Sequence, residues 1–340
     1  MRYDFSDEQQ AFRSSVRRLF ERRAEPARLR SLWDTDTGRD PQLWADLSGT
    51  GAASLIVPEE FGGVGGTEVD LCAVLEEAGR ACVPDALLEA LLIGPSLIAE
   101  AGSEEQRARW LPAIASGELR VTVALGGTPV VPDAHVSDLV LLERDGEVQA
   151  YARDELDLTR VHSMDPSRRL FRVAAHDGAG EALPGGGAAL AGARTRQYAG
   201  SAAVLIGLSE ELLHRSVEYA RTRHQFDRPI GSFQAVKHQL AQATSLVSLA
   251  GRAVRAALYF VATDDERAEE SALLARICAV EAEFEANRVA LQTHGGIGFT
   301  WEHDLQMWLK RGKALEQAHG GHREPARRAG AVAVEGKVSA

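Results

Sequence analysis

Residues 221–234 read Arg-Thr-Arg-His-Gln-Phe-Asp-Arg-Pro-Ile-Gly-Ser-Phe-Gln, and residues 292–299 read Gln-Thr-His-Gly-Gly-Ile-Gly-Phe. In the first run Arg223 and Phe226 form an Arg-x-x-Phe turn. The guanidinium offers a fixed cationic fork to a pyrophosphate, with an aromatic ring beside it. Taken alone, however, an Arg- and Phe-rich turn is more often a salt-bridged surface.

The second run offers a different kind of contact to the same ligand. Gln292 supplies a side-chain amide, and Gly295 and Gly296 leave bare backbone that a nucleotide can approach closely. A Gly-Gly pair after a helix is by itself more often a C-terminal cap. The two runs in this order, with helical patterning between them, predict a site for the diphosphate of a nucleotide.

Together the two runs resemble the C-terminal domain of the acyl-CoA dehydrogenases, where they hold the ADP half of an FAD that belongs to the neighbouring subunit. Two earlier stretches, 57–66 and 111–118, resemble parts of the N-terminal domain of this family, although each also works as a turn between packed helices. The resemblance implies a mainly α fold with an N-terminal helical domain, a shortened middle β domain and a C-terminal four-helix bundle.

The bulk composition limits the classes of partner. At 340 residues the chain exceeds a single typical core, which favours two or three domains. Its 38 Lys and Arg against 49 Asp and Glu give a net charge of −11, which argues against nucleic acid and against an anionic membrane surface. Met1 is followed by polar residues without an apolar leader, so we expect a cytoplasmic protein.

The three cysteines show no Cys-x-x-Cys spacing. Cys72, Cys82 and Cys278 all lie in apolar helical patterns and are predicted to be buried, reduced thiols. No metal site is therefore expected.

Residues 1–120 are predicted to form the N-terminal helical domain. Ser6-Asp-Glu-Gln9 is a capping box at the start of a helix over Gln9–Glu21. Ser103-Glu-Glu-Gln106 caps another helix, which we expect to end near Pro112.

Residues 121–187 are predicted to form the shortened β domain. The stretch 138–151 alternates as a hairpin with Asp145-Gly146 at its turn, and Leu170–Ala174 is typical of a further strand. The Gly- and Ala-rich residues 178–193 are predicted to be a linker.

Residues 188–320 are predicted to form the C-terminal bundle. Apolar residues recur at three- and four-residue spacings over four predicted helices, at Ala203–Arg221, Phe233–Ala262, Asp265–Thr293 and Asp304–Ala318. Residues 321–340 hold little that can be buried and are predicted to be a flexible tail.

Acyl-CoA dehydrogenation needs a carboxylate to remove a proton α to the thioester carbonyl while a flavin nitrogen takes the β hydride. In most of the family this base is a Glu in the loop shortly after the helix that follows the second run, and His319 occupies that position here. In a second branch the Glu lies on the long helix before the first run, where this chain has Gln197. Glu316 is an alternative base, although it also reads as an exposed acid at a helix end.

The middle domain departs from the family as well. Full-length members carry a Thr-Glu-Pro…Gly-Ser-Asp stretch and a Trp-Ile-Thr-Asn-like strand that line the isoalloxazine ring. This chain has Val121-Thr-Val-Ala-Leu-Gly-Gly-Thr-Pro-Val130 at the first position and no counterpart of the second. It resembles the non-catalytic subunits of the α2β2 acyl-CoA dehydrogenases that bacteria use on steroid side-chain CoA thioesters. The resemblance implies a subunit with no catalytic residue of its own.

The same resemblance assigns six residues to an FAD shared with the partner subunit. They are Arg223 at the pyrophosphate, Phe226 beside it, Gln234 at the ADP moiety, and Gln292, Gly295 and Gly296 at the pyrophosphate and adenosine end. Asp227 replaces the usual Gly after Phe226. This substitution places an anion near the diphosphate, which Arg223 or Arg228 would have to neutralise.

The expected partners are a full-length acyl-CoA dehydrogenase homologue in an α2β2 assembly, an acyl-CoA substrate, and electron-transfer flavoprotein as electron acceptor. The resemblance implies a steroid side-chain CoA as the substrate, and a shortened β domain would open room for such a bulky polycyclic group. Two alternatives stay open. One is a self-sufficient homo-oligomeric acyl-CoA dehydrogenase with His319 or Glu316 as base, and the other is a non-redox binding or scaffold protein on the same fold.

Overall fold

The computed structural model describes residues 4–127 and 130–338, with side chains described as far as Val334. Thr128 and Pro129 lie outside the described residues. Both belong to the stretch 121–130, which stands where full-length family members line the isoalloxazine ring. The chain forms two compact units. The first consists of residues 6–74 and 83–197, and the second of residues 4–5, 75–82 and the chain from residue 198 onward.

The helices of the N-terminal part are α1 (Asp7–Arg23), α2 (Pro26–Leu32), α3 (Pro41–Ser48), α4 (Glu68–Arg80), α5 (Gly94–Ala101) and α6 (Glu104–Ser116), with 3-10 helices at Ala52–Ser54 and Glu59–Phe61 and a π-helix at Glu89–Ile93. Both predicted capping boxes are confirmed. The Gln9 N–H donates to Ser6 Oγ at 3.2 Å and the Ser6 N–H donates to Gln9 Oε1 at 2.9 Å, and Ser103 and Gln106 repeat the arrangement. The end predicted near Pro112 is wrong, because α6 continues to Ser116.

Two small sheets follow in the first unit. Their strands are β1 (Val121–Ala124), β2 (Val131–Pro132), β3 (Leu139–Arg144), β4 (Glu147–Ala152), β5 (Leu156–Val161), β6 (Leu170–Ala175) and β7 (Glu181–Ala182), with a 3-10 helix at Arg153–Glu155. One sheet has the order β1-β3-β4-β7, with β1 and β3 parallel, and the other has the antiparallel order β2-β6-β5. Their apolar faces share a core that includes Val140, Leu142 and Phe171.

The predicted hairpin in this region is confirmed. Asp145 and Gly146 join β3 to β4 with φ values of 52° and 80°, the left-handed pair of a two-residue turn. The register places Glu147 opposite Arg144 and Ala152 opposite Leu139.

The C-terminal part consists of α7 (Gly186–Thr222), α8 (Gln234–Ala262), α9 (Ala268–His294), α10 (Leu305–Gln317) and α11 (Arg323–Val338), with 3-10 helices at Ile230–Ser232, Gly295–Phe299 and Ala318–Gly320. All four predicted helices are present. The predicted linker is wrong from residue 186 onward, because the Ala-rich start of α7 is helical and buries Leu190 and Ala193.

Residues 323–338 correct a second expectation. The flexible tail predicted from residue 321 is wrong for this stretch, which forms α11 and packs on α9. The guanidinium of Arg328 donates from Nε to Glu269 Oε1 of α9 at 2.7 Å. An ion pair between residues so distant in sequence was not visible in the local composition.

By length and composition α8 is the one described helix that could cross a membrane, with a mean hydropathy of 1.3 over its most apolar 18 residues. Leu240, Val247, Val254 and Leu258 are buried at heptad-like spacing on the face that packs against α9. Packing within the helical bundle therefore accounts for the buried part of its apolar surface.

In the second unit α4 and α7 approach closely where each carries a glycine. A Cβ added at Gly207 would lie 1.7 Å from the Glu76 carbonyl oxygen, and one added at Gly79 would lie 2.0 Å from that of Val204. Only residues without a side chain allow the two backbones to come this close.

The cysteines agree only in part with the prediction. Cys72 and Cys82 are buried, whereas Cys278 is exposed because it lies off the buried stripe of α9. Within the described ranges, no group of three or more His, Cys, Asp and Glu side chains could hold a metal ion.

Candidate functional site

The run 221–234 folds as a tight hairpin after α7. Its two short strands, β8 (His224–Gln225) and β9 (Arg228–Pro229), pair antiparallel. Phe226 and Asp227 form the turn between them, with φ values of 52° and 62°. A turn that needs two left-handed residues favours Gly, Asn or Asp, so Asp227 is compatible with the turn where the family pattern has Gly.

The hairpin presents Arg223 and Phe226 to solvent. The Arg223 N–H donates to the Tyr219 carbonyl at 2.8 Å, and the Arg223 carbonyl accepts the Ile230 N–H at 2.8 Å, so the backbone around Arg223 is held on both sides. Its guanidinium is exposed and forms no ion pair with any residue that the structure describes. The Phe226 ring is 86% exposed. A cation and an aromatic ring are thus available to a ligand.

An aromatic contact supports the base of the turn. The rings of Phe226 and Phe233 meet edge to face, 6.1 Å apart, and the Arg228 guanidinium lies 4.1 Å over the Phe233 ring. Gln234 is exposed at the first position of α8. Arg228, one of the two arginines that could neutralise Asp227, therefore forms a cation–π contact with Phe233.

The run 292–299 forms the end of α9 and the turn after it. Gly295 has φ 62° and ψ −142° and ends the helix, so it is a helix cap as well as a candidate ligand contact. A Cβ at Gly295 or Gly296 would meet no atom within 4 Å, whereas one at Gly298 would meet His294 and Leu305 at 3.2–3.3 Å. The Gly-Gly pair therefore borders open space, and Gln292 is exposed beside it.

The structure brings the two runs together through a pair of rings. Tyr219, one helical turn before Arg223, stacks on His294, whose next residue is Gly295, with ring centroids 4.4 Å apart and an interplanar angle of 26°. Tyr219 lies just before the first run and was missed in the sequence. His294 lies inside the second run, but no role was assigned to it.

None of the three candidate base positions offers an exposed carboxylate. Gln197 is a buried amide of α7. His319 lies in the turn after α10 with a left-handed φ of 56°. Glu316 is only 7% exposed and accepts a hydrogen bond from Lys313 Nζ at 2.8 Å, so the interpretation of Glu316 as an exposed acid is wrong.

Glu316 belongs to a buried pair of carboxyl groups between α9 and α10. Glu283 is completely buried, and its Oε1 accepts a hydrogen bond from Asn287 Nδ2 at 3.0 Å. Its Oε2 has no hydrogen-bond partner among the described residues, and the Glu283 side chain as a whole lies within hydrogen-bonding reach of the Glu316 carboxyl. Gly312 makes room for the pair, since a Cβ there would lie 1.8 Å from Glu283 Oε1.

Burial raises the pKa of the Glu283 carboxyl well above its ordinary 4.5, and the neighbouring Glu316 raises it further, whereas Asn287 and Lys313 act in the opposite direction. The protonated form of Glu283 is therefore favoured in the folded protein, and in that form its carboxyl can donate a hydrogen bond to Glu316. This arrangement is a structural hydrogen bond rather than a free base.

We expect the stability of the folded protein to fall as the pH rises above 4.5 through the raised pKa of Glu283. The unfolded chain releases this proton near its ordinary pKa of 4.5, while the folded protein keeps it to higher pH. The slope contributed by this group is at most about 1.4 kcal/mol per pH unit. Urea midpoints between pH 5 and 8 measure it. Glu283→Gln, which keeps both hydrogen bonds and cannot ionise, should flatten the slope, and an unchanged slope would contradict the shared proton.

Comparison with known proteins places the chain in a family. Residues 6–118 match the acyl-CoA dehydrogenase N-terminal domain and residues 188–332 match the acyl-CoA dehydrogenase C-terminal domain. The chain is 36% identical over 332 residues to acyl-CoA dehydrogenase IpdE2 of Mycobacterium tuberculosis, covering 95% of this chain and 96% of that protein. The chain belongs to the acyl-CoA dehydrogenase family, which consists of flavoprotein oxidoreductases.

Solved structures share the fold over almost the whole chain. The ChsE4-ChsE5 complex from Mycobacterium tuberculosis aligns with a TM-score of 0.89 at 26% identity, covering 98% of this chain and 99% of that one. A variant of the Tcur3481-Tcur3483 steroid ACAD aligns with a TM-score of 0.88 at 27% identity, with the same coverage. The predicted fold class is thereby confirmed.

Proposed function

We propose that this chain is the accessory subunit of a heterotetrameric, FAD-dependent acyl-CoA dehydrogenase and completes the FAD site of a full-length catalytic partner. One observation carries the proposal: the chain holds an outward half-site, defined as Arg223, Phe226, Gly295 and Gly296, that is open to solvent. Bound FAD supplies the acceptor for the β hydride. The half-site binds and orients its diphosphate, and contains no group that could remove a proton from the substrate.

The charge pattern near the half-site favours a ligand over a purely structural surface. Arg221, two residues earlier and also exposed, forms an ion pair with Glu218 at 2.8 Å. Arg223 forms no such pair with the described residues. A diphosphate supplies the missing anion, and the guanidinium fork can bind its oxygens in a bidentate manner.

An apolar surface on α8 and α9 favours a subunit interface. Only 39% of the most apolar window of α8 is buried within the chain. Leu249 is 67% exposed on α8 and Phe284 is 54% exposed on α9, with Leu246 and Leu274 also exposed on the same two helices. Exposed apolar side chains in such numbers are typical of a surface that another subunit covers.

If the base belongs to the partner, His319→Ala and Glu316→Gln in this chain should leave turnover within about threefold of the parent, because neither group would lie on the proton's path. Replacing the catalytic Glu of the partner by Gln should abolish dehydrogenation with FAD still bound. Steady-state turnover of the complex measures both. A loss of about a thousandfold from His319→Ala, with flavin and assembly intact, would favour the self-sufficient enzyme instead.

A steroid side-chain CoA thioester is the proposed substrate, with electron-transfer flavoprotein as the proposed acceptor. The support is the likeness to a steroid ACAD of two components, Tcur3481-Tcur3483. The ChsE4-ChsE5 complex likewise contains two different chains. The same two likenesses support the proposal that the partner of this chain is a different chain.

Co-expression with a full-length homologue tests the proposed function directly. We expect a complex with equal amounts of the two chains, one FAD per heterodimer and the absorbance spectrum of a bound flavin. The chain produced alone should lack flavin, because it holds only the half-site. A soluble monomer that carries stoichiometric FAD would overturn the proposal.

A further inference from the structure

We infer that Tyr219 and His294 are positioning residues: their stacked rings hold the two loops of the half-site at the spacing that the FAD diphosphate requires. This inference rests on the proposed function. Neither residue is expected to touch the cofactor.

On the first side, Tyr219 fixes the base of the hairpin. Its carbonyl oxygen accepts the Arg223 N–H at 2.8 Å and the Thr222 hydroxyl at 3.3 Å. The direction in which Arg223 leaves α7 is therefore set by the backbone of Tyr219. A movement of the Tyr219 ring would be transmitted to Arg223 through one turn of helix.

On the second side, His294 fixes the end of α9. Its ring is 94% buried, and Nδ1 lies 2.8 Å from the Ala290 carbonyl oxygen. A carbonyl oxygen can only accept, so Nδ1 carries the proton and donates it. Burial, together with the nearby His303 and Arg215, lowers the pKa of His294, so the ring is neutral and keeps this tautomer. The next residue is Gly295.

A third ring supports the stack from the far side. His303 meets His294 edge to face at 5.2 Å and accepts the Leu305 N–H on Nδ1 at 3.1 Å. The His294 ring therefore contacts rings from two other parts of the second unit, α7 and the segment before α10. Such a ring cannot shift without displacing a neighbour, which is the property that a positioning residue needs.

The stack explains how Arg223 and Gly295, which are 72 positions apart in sequence, can act on one ligand. Arg223 follows Tyr219 by one helical turn, and Gly295 directly follows His294. Without the stack, both loops keep their own hydrogen bonds, but their separation is no longer fixed. The expected consequence is a loss of FAD affinity that exceeds any loss of assembly.

The test measures FAD dissociation from the complex by flavin fluorescence, alongside size-exclusion chromatography of the assembly. His294→Ala and Tyr219→Ala should each weaken FAD binding by roughly tenfold with the complex intact. The double variant should be no more than about threefold weaker than either single variant, because both remove the same stack. Tyr219→Phe and His294→Phe keep a ring in place and should restore affinity to within about threefold of the parent.

The outcomes separate this inference from the proposed function. If Arg223→Ala weakens FAD binding and the ring variants do not, the inference is overturned and the half-site stands. If Arg223→Ala also leaves FAD binding unchanged, the proposed function itself falls. Should His294→Ala fail to assemble, Tyr219→Leu decides, since it keeps an apolar side chain without a ring, and unchanged FAD affinity in that variant overturns the inference.

Discussion

Arg223→Ala should weaken FAD binding to the complex by roughly 10- to 150-fold, because it removes a charge-assisted and bidentate contact worth about 1.5–3 kcal/mol. The guanidinium is exposed, its backbone is held by Tyr219 and Ile230, and no described acid competes for it. The dissociation constant of FAD, measured by flavin fluorescence on the assembled complex, checks the prediction. Gln292→Ala should weaken binding less, since a neutral amide makes a weaker contact.

Arg221→Ala is the matched control for this measurement. It removes another exposed arginine two residues away, but one that already pairs with Glu218. An exposed pair of this kind contributes little, so FAD affinity should stay within about threefold of the parent. If Arg221→Ala and Arg223→Ala have the same effect, the loss reflects general charge and the diphosphate contact is not specific to Arg223.

Gly207→Ala should destabilise the second unit by about 3 kcal/mol or more, because its Cβ would overlap backbone rather than a flexible side chain. The Glu76 carbonyl oxygen lies 1.7 Å from the Cβ position, so α4 and α7 would have to separate. The midpoint of thermal unfolding should fall by on the order of 5–10 °C. Differential scanning calorimetry of the complex measures this shift.

Gly330→Ala provides the control, since it makes the same chemical change inside a helix, α11, where a Cβ would meet no atom within 4 Å. Alanine favours helix over glycine by up to about 1 kcal/mol, so this variant should be as stable as the parent or slightly more stable. A similar loss in both variants would show that the close crossing at Gly207 is not the cause.

Features that depend on neighbours in the sequence were predicted correctly. The Ser6–Gln9 and Ser103–Gln106 capping boxes join residues three apart, and the Asp145-Gly146 turn needs only two left-handed residues. The four helices of the C-terminal part follow the apolar spacing, although α7 begins much earlier than predicted. The Gly- and Ala-rich start of α7 has weak periodicity of its own, so its helical state depends on the burial of Leu190 and Ala193.

Features that join distant residues were not predictable in the same way. Glu316 is buried beside Glu283, which lies 33 positions earlier on another helix. The packing of α11 depends on the pair between Arg328 and Glu269. From local composition Glu316 was predicted to be exposed and residues 323–338 to be unstructured. Composition gives the charge of a residue but does not show which distant residues pack against it.

The sequence by itself predicted the family and the chemical groups of the half-site, because the Arg-x-x-Phe turn and the Gly-Gly pair occur in that order with helical patterning between them, whereas either run alone is more often structural. The resemblance also predicted that Gln197 and His319 stand where the family pattern places a carboxylate. Only the tertiary structure decided that Tyr219 stacks on His294 and that Glu316 is engaged inside the bundle. The physical reason is that the geometry of a hydrogen-bonded turn is set within a few residues, whereas burial and ring stacking are set by which helices pack together.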